Sequence, residues 1–172
     1  MTEELEKKLY KKFNKIFTQK ELPLRWGVEC DDGWYELIYS LCEKIQAYID
    51  EAKCQQVIAT QVKEKFGSLR FYTALDLLNE DDVIDDVDDV HYGAIQAMID
   101  AASEQSLKTC ESTGGYGTLN KRGTWLKTLS KESSVLLGYE PCEKQEVVLF
   151  VRNCGLSKAR IVSIKPPRNP LK

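Results

Sequence analysis

Histidine is almost missing from this chain: His91 is the only one in 172 residues. Any Ser-His-Asp or Cys-His catalytic arrangement would have to be built on that single ring. It stands beside an acidic run, outside any nucleophile signature, which makes an enzyme the minority expectation. Long apolar runs are missing as well, and none approaches the roughly 20 residues that span a bilayer. Met1 opens a lysine-rich amphipathic segment without an apolar core or a small-residue cleavage site. The expectation is therefore a cytoplasmic protein with no membrane partner. Gly114-Gly115-Tyr116-Gly117 is glycine-rich but has neither the Gly-x-x-x-x-Gly-Lys-Ser/Thr spacing of a phosphate loop nor a following helix pattern.

Charge of one sign is absent from two stretches. Residues 76–90 hold eight acids and no base, and residues 151–172 hold six bases and no acid. The net charge is −3, so the first 150 residues carry −9 without that basic tail. A surface this negative disfavours general nucleic-acid binding. The acidic stretch also lacks the central glycine and terminal glutamate of an EF-hand loop, which argues against calcium.

Six cysteines are present, at 30, 42, 54, 110, 142 and 154. In a reducing cytosol they read as free thiols, mostly buried as small apolar groups. Cys110-Glu111-Ser112-Thr113-Gly114 has the outline of a zinc knuckle, which needs Cys-x-x-Cys-Gly. Cys110 stands at the first ligand position, but Thr113 holds the second. After Trp125 the second pair would fall where only Ser130 and Ser133 stand. One thiolate does not hold structural zinc, so no metal and no cofactor is expected. Trp125 and Leu129 are expected to hold the loop by packing on the core.

Hydrophobic periodicity places a helix over residues 3–18, with Leu5, Leu9, Phe13, Ile16 and Phe17 on one face. A second helix follows Asp31 or Asp32 and carries Trp34, Leu37, Ile38, Leu41, Cys42, Ile45, Tyr48 and Ile49. From Val57 the period becomes two, and alternating runs around Gly67-Ser68 predict a β-hairpin. Its inward face would be Ile58, Val62, Phe66, Leu69 and Phe71, and its outward face Lys63, Lys65, Arg70 and Tyr72. A third helix carries Ile95, Met98, Ile99 and Ala102. Strands over Glu146–Val151 and Arg160–Lys165 would form a β extension. The predicted fold is α+β: amphipathic helices on an antiparallel hairpin and sheet, with a degenerate knuckle-like loop. Residues 1–138 would form the core and 139–172 a C-terminal β extension too short to stand alone.

Gly33-Trp34-Tyr35-Glu36-Leu37-Ile38, Leu41-Cys42, Val62-Lys63-Glu64-Lys65-Phe66-Gly67-Ser68-Leu69-Arg70-Phe71-Tyr72, Cys110-Glu111 and Trp125-Leu126-Lys127-Thr128-Leu129 stand in this order. With them the chain resembles a family of small bacteriophage- and prophage-encoded proteins, over about residues 5–133. Its members carry a Lys-Glu-Lys-Phe-Gly-Gly-Leu-Arg-Phe-Tyr hairpin and a four-ligand Cys/His site. Ser68 departs from the second glycine, and Thr113, Ser130 and Ser133 depart from the ligands. The resemblance implies a phage setting in a host cell, without an activity to carry over.

The expected function is a non-enzymatic, anti-defence binding protein that sequesters an anionic small ligand such as a signalling nucleotide. Lys63, Lys65 and Arg70 would meet phosphate, and Tyr72 or Trp125 would stack on a base, with Lys127 nearby. In the alternative, the acidic segment blocks a host defence protein by mimicking nucleic-acid charge. A second alternative is a divergent nucleic-acid-binding module using Lys121, Arg122, Trp125, Lys127 and the basic tail.

Overall fold

Four α-helices, a 3-10 turn and six strands make up the secondary structure of a computed structural model that describes residues 1–18, 27–76 and 89–142. The acidic stretch beyond Asp76 up to Asp88, the loop with Arg25 and Trp26, and the expected strands 146–151 and 160–165 lie outside the described residues. In chain order the elements are α1 (Glu3–Lys12), β1 (Val28–Glu29), a 3-10 turn (Asp32–Trp34), α2 (Tyr35–Ala52), β2 (Val57–Lys65) and β3 (Ser68–Leu75). They continue with α3 (Asp89–Ser106), β4 (Thr118–Arg122), β5 (Trp125–Leu129), α4 (Lys131–Leu137) and β6 (Glu140–Pro141). The fold is α+β, with one sheet ordered β1-β2-β3 and a second ordered β5-β4-β6.

One main core joins the helices to the hairpin. Leu9, Phe13 and Ile16, the α2 stripe Ile38, Leu41, Ile45 and Ile49, and Val57, Val62, Leu69 and Phe71 of the hairpin share it with Ile95 and Ile99 of α3. The first helix ends at Lys12 rather than running to residue 18. Ile16 and Phe17 still reach the core because the chain turns there, and Ile16 O accepts from Ala59 N at 2.8 Å.

The hairpin corrects two expectations. Lys65 pairs with Ser68, so the two turn residues are Phe66 and Gly67, not Gly67 and Ser68. Both have positive φ, +60° and +76°, the backbone of a type I′ turn that matches strand twist. Phe66 is therefore not an inward core residue; it is 43% exposed at the tip. Gly67 answers a second demand there, because a Cβ on it would collide with the Leu119 side chain of β4. A register shift between Ala59 and Gln61 marks a bulge at Thr60.

Ser68 and Leu69 sit on the outer edge strand β3, and α3 seals that edge. Ser103 Oγ donates to Leu69 O and Leu69 N donates to Ser106 Oγ, each at 2.9 Å, while Ser68 and Ser103 hydroxyls lie 2.9 Å apart. Helix side chains thus occupy backbone groups that would otherwise be an open pairing edge.

Candidate functional site

Strand register decides which of the candidate residues meet. Lys63 lies directly opposite Arg70, and Gln61 opposite Tyr72. Alternation then puts Lys63, Lys65, Arg70 and Tyr72 on one face of the hairpin. Lys63 Nζ is 5.9 Å from the Tyr72 ring centre, and Lys65 Nζ is 5.3 Å from that of Phe66. Arg70 Nη1 donates to Ser103 Oγ at 3.3 Å, the same hydroxyl that bonds Leu69 O, so α3 helps orient the guanidinium. Like charges directly opposite on a sheet repel. Glu29, beside Lys63 through the parallel pairing of β1 and β2, supplies one counter-charge and accepts from Gln61 Nε2 at 3.4 Å. Tyr72 is 45% exposed, leaving part of its ring open for stacking.

Trp125 and Lys127 do not join this set. Trp125 begins β5 in the other sheet, next to the Gly123-Thr124 turn, and is 70% exposed. It does not pack on the core as expected, because its strand position lies beyond the part of the sheet that the hairpin tip covers. Leu129, at the other end of β5, is fully buried with Cys110 and Tyr139. Lys127 turns inward. Its Nζ donates to Asp31 Oδ2 at 2.6 Å and lies 3.2 Å from Glu111 Oε2.

Glu111 is the most deeply buried charged residue described, and it ties the knuckle to the rest of the chain. Asp31 N donates to Glu111 Oε1 at 3.1 Å, Gly33 N donates to Glu111 O at 2.8 Å, and Glu111 N donates to Thr128 O at 2.8 Å. A Cβ on Gly33 would stand 2.5 Å from the Cys110 and Glu111 carbonyl oxygens, so only glycine permits this approach. Burial pushes the Glu111 carboxyl up to about 6; Lys127 opposes the rise and Asp31 adds to it. Burial also raises Glu64, whose Oε1 accepts from Gly67 N at 2.5 Å; that bond and Lys127 oppose the rise. Lys127 is raised despite its own burial, through its bonds and attraction to Asp31 and Glu111.

The four positions at which a zinc knuckle would carry ligands do converge. Cys110 Sγ lies 3.6 Å from Ser133 Oγ, Ser130 and Ser133 hydroxyls are 3.2 Å apart, and Thr113 hydrogen-bonds the thiol. Ser130 also caps α4 by accepting from Ser133 N. Burial works against ionising Cys110, but the bonds from Thr113, Ser130 and Ser133 outweigh it and hold the thiol down at about 7. Among the described residues, no three His, Cys, Asp or Glu side chains are placed to hold a metal ion.

Sequence reasoning missed the Asp31–Lys127–Glu111 knot, since its members come from three separate segments. The one available signal was an acid directly beside the knuckle cysteine. Among the described residues, no helix is long and apolar enough to cross a membrane. No protein-family model matches the chain, and comparison with the curated proteins and with solved structures finds no match either.

Proposed function

We propose that this is a non-enzymatic binding protein that sequesters an anionic small ligand, a phosphorylated nucleotide being the best fit, on the outer face of the β2–β3 hairpin. The observation that carries the reading is the directly opposed Lys63–Arg70 pair with a half-exposed Tyr72 beside it. A phosphate relieves the repulsion of that pair, and arginine grips it with two parallel hydrogen bonds while lysine adds a less directional charge. Tyr72 offers a ring face to a base. The resemblance to phage proteins gives the biological reading: a nucleotide sponge acting against host defence in the host cytoplasm.

The nucleic-acid alternative loses support from the same geometry. Lys127 is engaged by two carboxylates, and Arg122 donates to Leu137 O at 2.9 Å and stacks over Tyr139. The test is equilibrium binding of mono- and cyclic dinucleotides to the wild type and to Arg70→Ala, Lys63→Ala and Tyr72→Ala. Arg70→Ala is expected to lose the most affinity, on the order of 2 kcal/mol where the contact is desolvated. Equal affinity in Arg70→Ala would remove this face from consideration.

A further inference from the structure

Phe66 is the hairpin residue that stability of the fold does not explain. Its φ of +60° is left-handed backbone, which glycine and asparagine adopt readily and a bulky side chain rarely does. Burial does not offset that strain, because Phe66 stays 43% exposed. A strained position of this kind implies a use outside the fold. The tip is also held in place: Gly67 N donates to Glu64 Oε1 at 2.5 Å, and Thr128 Oγ1 donates to Gly67 O at 2.7 Å. Lys65 Nζ stands 5.3 Å from the Phe66 ring centre, much as Lys63 Nζ stands 5.9 Å from that of Tyr72. Register therefore sets a row along the hairpin: Tyr72, the opposed Lys63 and Arg70, Lys65, then Phe66. It is a ring, three cations and a second ring, the two aromatic residues being about equally exposed. From the Gln61–Tyr72 pair to the Lys65–Ser68 pair the strand advances four residues, about 14 Å.

Resting on the reading of the hairpin face as the binding site, we propose that its ligand is a linear dinucleoside polyphosphate. In that class two nucleosides are joined 5′ to 5′ through a chain of phosphates. One base stacks on Tyr72 and the other on Phe66, while the phosphates lie along Arg70, Lys63 and Lys65. A mononucleotide engages one ring and leaves Phe66 without a base. A cyclic dinucleotide sets its two phosphates across the line that joins its bases, whereas Lys65 stands along that line. The docked tip gives the second ring a fixed backbone, so the two platforms are in place before the ligand arrives.

The test is calorimetric titration of the full chain with diadenosine triphosphate, ADP and cyclic di-AMP, for the wild type and for Phe66→Asn. Asparagine suits the left-handed turn, so this variant is expected to fold and to raise the denaturation midpoint. The wild type is expected to bind diadenosine triphosphate about tenfold or more tighter than ADP, the gain from stacking a second base. Phe66→Asn is expected to bring diadenosine triphosphate down to the affinity of ADP. A wild type that binds ADP or cyclic di-AMP as tightly, or a preference that survives Phe66→Asn, would overturn the two-ring inference and leave the hairpin-face reading standing. A lower midpoint in Phe66→Asn would show that the ring serves the fold, with the same consequence. A wild type that binds none of the three compounds would overturn both.

Discussion

Glu111 and Trp125 show at single residues how burial, not residue type, sets the energetic role. A fully buried carboxyl raised to about 6 from an ordinary 4.5 binds its proton more tightly in the folded chain than in the unfolded one. The stability it contributes is therefore fully present below about 4.5 and is lost as pH rises through about 6. The loss amounts to about 2 kcal/mol at most. Glu111→Gln cannot titrate. Its stability minus that of the wild type is expected to climb by about that amount between pH 4.5 and 6.5, whatever its constant offset. Denaturant melts across that range check it, and a flat difference would show that Glu111 does not titrate as its burial implies. Of two tryptophans expected to pack inward, only Trp34 does. Trp34 is completely buried and its Nε1 donates to Thr109 O at 2.8 Å, whereas Trp125 is mostly in solvent. Trp34→Ala is expected to cost about 3–5 kcal/mol and Trp125→Ala under about 1 kcal/mol, measured by chemical denaturation.

Elements were legible where periodicity was strong. The α2 stripe and the alternation through Val62, Leu69 and Phe71 are unambiguous in the sequence, and both fall where expected. The hairpin turn was displaced by one residue because a phenylalanine at positive φ contradicts local preference, at a cost of roughly 1–2 kcal/mol. Docking of the tip explains why the turn sits there. Thr128 Oγ1 donates to Gly67 O at 2.7 Å, fixing the turn against the second sheet. Nothing within residues 57–74 announces that long-range contact. The knuckle-like pattern was legible, and Thr113, Ser130 and Ser133 do gather around Cys110. This convergence makes a direct prediction for the element. The triple substitution Thr113→Cys, Ser130→Cys and Ser133→Cys should bind one zinc per chain by elemental analysis and raise thermal stability on metal addition. The wild-type chain should bind none. Stoichiometric zinc in the wild type would mean that cysteines distant in sequence complete a rearranged site.

For the whole molecule, residues 1–141 form one unit in which the knuckle sheet is fastened to the hairpin by Gly33, Gly67, Thr128 and the Asp31–Lys127–Glu111 knot. The order β5-β4-β6, with Glu140 pairing to Lys121, could not be read from the chain because two-residue strands carry no periodicity. Of the six candidate binding residues, register gathers Lys63, Lys65, Arg70 and Tyr72 and separates Trp125 and Lys127. Alternation carries the first four, whereas the inward turn of Lys127 depends on partners 16 and 96 residues away. The proposed role of the hairpin face is capture of an anionic nucleotide in a host cell. The most direct measurement is to purify wild-type and Arg70→Ala protein from the host, denature both, and analyse each supernatant for ultraviolet-absorbing phosphorylated compounds. A nucleotide released in stoichiometric amount by the wild type and lost from Arg70→Ala is the predicted result. A clean wild-type supernatant, or equal release from both proteins, would contradict it.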